Sequence, residues 1–97
     1  MIKHVVAFKL KNPLDAEALK EKLMELEGIV DFIRFWEVGI NIGSSSKSYE
    51  VIAYSIFDTM DDLETFRNHP KHIEIKNAIS VYIETSGTVD YASDHKV

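Results

Sequence analysis

The segment from Tyr49 to Phe57 constrains the fold more than any other part of the chain. Its side chains alternate as in a β-strand, yet both of its faces are mainly apolar. The apolar residues are Val51, Ala53 and Phe57 on one face and Ile52, Tyr54 and Ile56 on the other. Because a strand with two apolar faces needs cover on both sides, the sequence predicts a central strand between two layers.

The first segment, Ile2 to Leu10, also alternates with period two and is predicted to be a strand. One face carries His4 among apolar residues, and the other carries Val5 and Ala7. The pattern contains charged and polar residues throughout, which is typical of neither a signal peptide nor a membrane span.

Helical and extended segments alternate along the rest of the chain. Leucines at helical spacing predict a helix after Pro13 that ends at Gly28, and a strand is predicted from Ile33 to Ile42. A short helix after the third strand breaks before Pro70, since the residue before proline avoids helical angles. The sequence then predicts a helix that begins at Pro70 and a last strand from Val81 to Tyr91, with a bulge at Ser86 and Gly87.

The order strand, helix, strand, strand, helix, strand is that of the split βαβ, or ferredoxin-like, arrangement. We therefore predict a single α+β domain over residues 1–97, with a four-stranded antiparallel sheet and both helices on one face. An apolar open face is unusual in a monomer, so we expect a two-fold homodimer with the two sheets face to face. The residues predicted to form this interface are Val5, Ala7, Ile52, Tyr54 and Ile56.

Composition excludes several classes of function. The net charge is −5 and no segment collects lysine or arginine, which argues against a nucleic-acid partner. The absence of cysteine excludes disulfides, a thiolate nucleophile and cysteine metal ligands, and it fits a cytoplasmic protein. No membrane association is expected. No carboxylate lies at ligand spacing beside His69 and His72, so neither a catalytic metal nor a cofactor is predicted, while an incidental cation at the dimer interface stays open.

Three stretches resemble the stress-responsive A/B barrel domain (Dabb) family. They are the opening from Met1 to Leu10, the stretch from Phe57 to His72, and the closing Val89-Asp90-Tyr91. The second stretch ends in His69-Pro70-Lys71-His72, which is a His-Pro-x-His motif. The resemblance covers nearly the whole chain in the right order. It implies a dimeric α+β barrel of ferredoxin-like protomers, with helices outside, as the open face also predicts.

The resemblance implies less about function, since many members of the family have no assigned activity. A plant member is a polyketide cyclase that needs no metal or organic cofactor and uses two histidines matched here by His4 and His72. The cyclase pattern also has a histidine on the third strand and a tyrosine just before His-Pro-x-His. Val51 and Phe66 stand at those positions in this chain, so the tyrosine hydroxyl of the cyclase pattern is missing.

Two hypotheses follow for the histidines. In one, the protein is a small-molecule-binding or stress-related module, and His4 and His72 are core residues that donate to backbone carbonyls. In the other, it is a cofactor-independent, cyclase-like enzyme on small hydrophobic carbonyl compounds, with His72 as general base assisted by His4. The substrate pocket would then involve Phe8, Val51 and Phe66. The aromatic residues Trp36, Tyr49, Tyr54 and Phe57 fit either a ligand cavity or the core and interface.

Overall fold

The computed structural model describes residues 1–95 and contains one four-stranded antiparallel sheet. The strands are β1 (Ile2–Leu10), β2 (Phe35–Ile40), β3 (Val51–Phe57) and β4 (Ile83–Ala92), in the order β2-β3-β1-β4. A 3-10 turn (Pro13–Asp15) leads into α1 (Ala16–Met24), and α2 (Met60–Arg67) and α3 (Pro70–Ile79) follow β3. The predicted α+β, ferredoxin-like fold is confirmed, with β3 and β1 as the central strands.

Local capping interactions fix where the helices begin. The Thr59 side chain accepts a hydrogen bond from the backbone N–H of Asp62 at 3.1 Å, at the start of α2. At the start of α3, Nδ1 of His69 accepts from the backbone N–H of Lys71 at 3.0 Å, and Pro70 occupies the first turn. After α1, Gly28 has a φ of 76°, a left-handed conformation that glycine adopts without strain.

The apolar core lies between the helices and one face of the sheet. Its largest fully buried side chains are Leu19 from α1, Phe57 from β3, Leu63 and Phe66 from α2, and Ile75 from α3. Phe57 and Phe66 have ring centroids 5.3 Å apart, which joins α2 to the sheet. The core therefore holds α2 and α3 over the same face of the sheet that carries His4.

The opposite face of the sheet retains exposed apolar groups. Ile52 is 42% exposed, and Val89 and Tyr91 on β4 are 61% and 44% exposed. Ile56, which was predicted to contribute to the interface, is only 2% exposed in the single chain. Its register partner Lys3 is also buried, with 4% exposure. The exposed apolar surface is thus displaced from Ile56 towards Ile52 and β4.

The irregularity in β4 is not where the sequence predicted it. Ser86 and Gly87 pair regularly with Phe8 and Ala7, so the predicted bulge at these residues is wrong. The register shifts instead where Lys9 pairs with Thr85 and Leu10 pairs with Ile83. This shift returns Ile83 to the core face, where it packs against the buried cluster.

Candidate functional site

One row of side chains across the helix-facing side of the sheet is polar. Trp36 of β2 pairs with Ser55 of β3, Ser55 pairs with His4 of β1, and His4 pairs with Asp90 of β4. Directly paired residues on one face have Cβ atoms about 5 Å apart, so the four side chains lie next to one another. Each strand contributes one polar group to this row, which we call the polar row.

At one end of the polar row, buried His4 forms an ion-pair geometry with Asp90 on the edge strand β4. Nδ1 of His4 lies 2.5 Å from Oδ1 of Asp90, and the His4 residue is 8% exposed. Since the carboxylate only accepts, it holds a proton on Nδ1, and in the neutral ring Nε2 is then the free acceptor. Asp90 therefore sets the tautomer of His4.

Arg67, at the end of α2, completes this cluster from the helix layer. Its Nη2 donates to Oδ2 of Asp90, and its Nη1 donates to Oε1 of Glu64 at 2.7 Å. Burial opposes ionisation of Asp90, but the hydrogen bonds from His4 and Arg67 outweigh it and lower the pKa of the carboxyl group. Asp90 thus stays ionised and links β1, β4 and α2.

A cavity of about 1060 Å³ lies between the polar row and the helices α2 and α3. Its apolar lining includes Val6, Phe8, Leu23, Phe66, Ile75 and Ile79. Ser86 and Thr88 form the wall on the β4 side and are exposed, so the cavity opens to solvent along this strand. The space has the size and the mixed lining of a small-molecule site.

His72, in the first turn of α3, lines the cavity opposite the sheet. Its Nδ1 is buried without a hydrogen-bond partner, and its ring meets Phe66 edge-on with centroids 4.9 Å apart. Burial lowers the pKa of His72, and the charges of His4 and Lys76 lower it further. The imidazole is therefore neutral near pH 7.

The structure brings most of the residues singled out in the sequence to this cavity. His4, His72, Phe8 and Phe66 all line it. Val51 does not line it; this side chain is buried in the core, between Phe8 and Ile40 in the register. Any pocket at this site is therefore bounded by Ala53 on β3 and not by Val51.

Two residues that line the cavity, Arg67 and Asp90, were given no role in a site from the sequence. Trp36 fitted either a cavity or the core, and Ser55 belongs to the polar row without lining the cavity. Trp36 lines the cavity and packs edge-on against Phe66, with ring centroids 5.7 Å apart. The signal for Asp90 was available in principle, since pairing the first strand with the last places an acidic residue opposite His4.

Residues 1–95 contain no group of three or more histidine or acidic side chains arranged to hold a metal ion. His69 uses Nδ1 to cap α3, so this nitrogen does not join His72 as a ligand. Within the same residues, no helix has the length and apolar character to cross a membrane.

Comparison with known proteins places these features in a family. The family model described as Stress responsive A/B Barrel Domain (Dabb) matches residues 2–93. An uncharacterized protein of Streptomyces coelicolor is 31% identical over 77 residues, which is 74% of this chain and 79% of that protein. A dimeric protein of unknown function with a ferredoxin-like fold, from Bacteroides fragilis, is 30% identical with a TM-score of 0.78, over 93% of each chain. A Dabb family protein from Mesorhizobium loti has the same fold, with 19% identity, a TM-score of 0.79 and 95% coverage of each chain.

The lowered pKa of His72 can be tested by an NMR titration. The ring should take up its proton at a pH below 6.5, which is the ordinary pKa of histidine. Because the unfolded chain then binds this proton more tightly, the His72 contribution opposes folding progressively as pH falls below 6.5.

Lys76→Gln should raise the pKa of His72, since it removes one of the positive charges that lower it. Lys71→Gln is the matched control, because the Lys71 ammonium is already paired with Glu25 and Glu74. A His72 pKa at or above 6.5 in the native protein would contradict the buried, neutral state.

Proposed function

Because this chain belongs to the stress-responsive A/B barrel domain family, we propose that it is a homodimeric module that binds a small, mainly apolar molecule. The observation that carries the proposal is the cavity of about 1060 Å³ between the polar row and α3. Its walls supply an apolar surface for the body of a ligand, and His4, His72 and Trp36 supply polar groups that orient it.

Exposed apolar groups on the open face support the homodimer. Ile52 on β3 and Val89 and Tyr91 on β4 are each more than 40% exposed. Removing roughly 300 Å² of apolar surface from water contributes on the order of 7 kcal/mol before the costs of association, at about 25 cal/mol per Å². The relative from Bacteroides fragilis is described as dimeric. A second copy, sheet against sheet, is the simplest cover.

Ile52→Glu should dissociate this dimer. The side chain is 42% exposed in the single chain, so a charge there is tolerated by the protomer but would be desolvated in the interface. We expect a shift from dimer to monomer in sedimentation velocity at micromolar concentration, with an unchanged circular dichroism spectrum.

Leu14→Glu is the control for the interface variant. Leu14 is 89% exposed in the turn before α1, and its substitution should leave the dimer intact. Ile56 is unsuitable as a test position, because a charge at a side chain that is 2% exposed would unfold the protomer. A monomeric wild-type protein, or a dimeric Ile52→Glu variant, would overturn the assignment of this face.

Ser86→Trp should close the cavity from its exposed wall. Ser86 lies on β4 and lines the opening, so a large ring there occupies ligand space without displacing core residues. The neutral fluorescent probe N-phenyl-1-naphthylamine should bind to the wild-type protein and to Ser86→Ala, and should bind at least about tenfold more weakly to Ser86→Trp.

Native mass spectrometry of the purified protein complements this titration, since a retained small molecule appears as a discrete mass increment. Equal probe affinity in all three proteins would mean that the probe binds elsewhere. Such a result would remove the support for this cavity as the ligand site.

A specific observation favours a second candidate function, cofactor-independent proton abstraction by His72. His72 lines the cavity, and its neutral ring is in the basic form near pH 7. Asp90 holds His4 in one tautomer on the opposite wall, with Nε2 as a further acceptor. The hydroxyl donor of the cyclase pattern is still absent at Phe66, so the proposed step is only the removal of a proton next to a carbonyl group.

Deuterium exchange tests this step without knowledge of the substrate. The methyl protons of acetophenone should exchange with D2O faster in the presence of the protein than in buffer, as followed by proton NMR. His72→Gln should return the rate to that of buffer, whereas His95→Gln, in the exposed terminal segment, should not change it. No acceleration by the wild-type protein would refute this second function and leave ligand binding as the proposal.

A further inference from the structure

Two polar atoms at the end of the polar row away from Asp90 are buried without partners. Nε1 of Trp36 and Oγ of Ser55 make no hydrogen bond and have almost no exposed surface. The two residues are direct register partners on β2 and β3. An unpaired buried donor destabilises the folded protein, and buried polar groups in native proteins nearly always have partners. These atoms therefore require an explanation.

We propose that the Trp36 N–H is the donor that anchors the ligand, and that the ligand presents to it a neutral oxygen acceptor, such as a carbonyl oxygen. The inference rests on the proposed ligand-binding function and specifies its chemistry. Trp36 is already part of the cavity lining, so the ligand that fills this space lies against the indole ring. Indole nitrogen only donates, which makes an acceptor on the ligand the required complement.

Phe66 packs against both residues that carry an unpaired ring nitrogen. It contacts Trp36 edge-on at 5.7 Å and His72 at 4.9 Å, as measured between ring centroids. The proposal requires the Trp36 ring to rotate, or Phe66 to move, when a ligand binds, so that Nε1 faces the cavity.

The charges around the cavity favour a neutral acceptor over a carboxylate. Asp90 is ionised on the same row, and the guanidinium of Arg67 is engaged with Asp90 and Glu64. Lys76, which also borders the cavity, is exposed on α3. An anion at Trp36 would lose its hydration without a cation to pair with. An anionic ligand would instead place its charge beside Lys76, where it stays in water.

Trp36 is the only tryptophan in the chain, so its indole N–H gives a single proton–nitrogen NMR signal. We would titrate the labelled protein with three compounds of similar shape: acetophenone, ethylbenzene and benzoate. Acetophenone should move the indole proton downfield, as expected for a new hydrogen bond. Ethylbenzene should shift the methyl signals of Ile75 and Ile79 in the cavity without this downfield change.

The variant Trp36→Phe removes the donor and keeps an aromatic ring. It should weaken acetophenone binding about fivefold or more, measured from the isoleucine methyl signals, and change ethylbenzene affinity less than about twofold. The ratio of the two affinities corrects for any change in packing, because both probes fill the same space.

The outcomes separate this inference from the function on which it rests. If acetophenone and ethylbenzene both shift the cavity methyl groups but the indole proton does not respond, the anchoring role is refuted and ligand binding stands. If benzoate moves the indole proton more than acetophenone does, the acceptor is anionic and the preference for a neutral oxygen is wrong. If no probe shifts any cavity residue at millimolar concentration, the proposed binding function fails and the inference fails with it.

Discussion

The pairing of β1 with both β3 and β4 is the constraint on which the rest of the molecule depends. It brings His4 next to Asp90, which are 86 positions apart in the chain, and next to Ser55 on the other side. The helices then close over the face of the sheet that these residues share. Without this register, the polar groups would be dispersed and the cavity would have no polar wall.

Burial of His4 on a largely apolar face is tolerated because Asp90, at the solvent-facing end of the polar row, pairs with it. A charged group in this position is costly unless it is paired and hydrogen-bonded. Arg67 supplies the remaining partner from α2, so the cluster also ties the helix layer to an edge strand. The opposite end of the polar row has no such compensation at Trp36 and Ser55. At one end of the polar row the protein therefore satisfies the hydrogen-bonding groups itself, whereas at the other end two of these groups lack partners.

The sequence was sufficient for the fold because periodicity records which faces are buried. The two apolar faces of β3 and the alternation of β1 predicted the sheet, the central position of β3 and the open side. Register is not recorded in the same way, since a shift of one residue would place Val89 or Tyr91 opposite His4 in place of Asp90. The same limitation explains why Val51 does not line the cavity and why Ile56 is not exposed. The sequence predicted the face of the sheet on which each residue lies, but not its position along the sheet. The role of Arg67 could not be predicted from the sequence, because it depends on how α2 packs over β4.

The four residues of the His-Pro-x-His motif have different structural roles. His69 caps α3 through Nδ1, Pro70 fits the first turn, and Lys71 bridges to Glu25 and Glu74. His72 is the member that faces the cavity. Three of the four residues thus serve the folding of the helix start, and the presence of the motif does not by itself indicate catalysis. A match to it in other chains is evidence of this helix junction first, and chemistry must be judged from the fourth position and from what lies across the cavity.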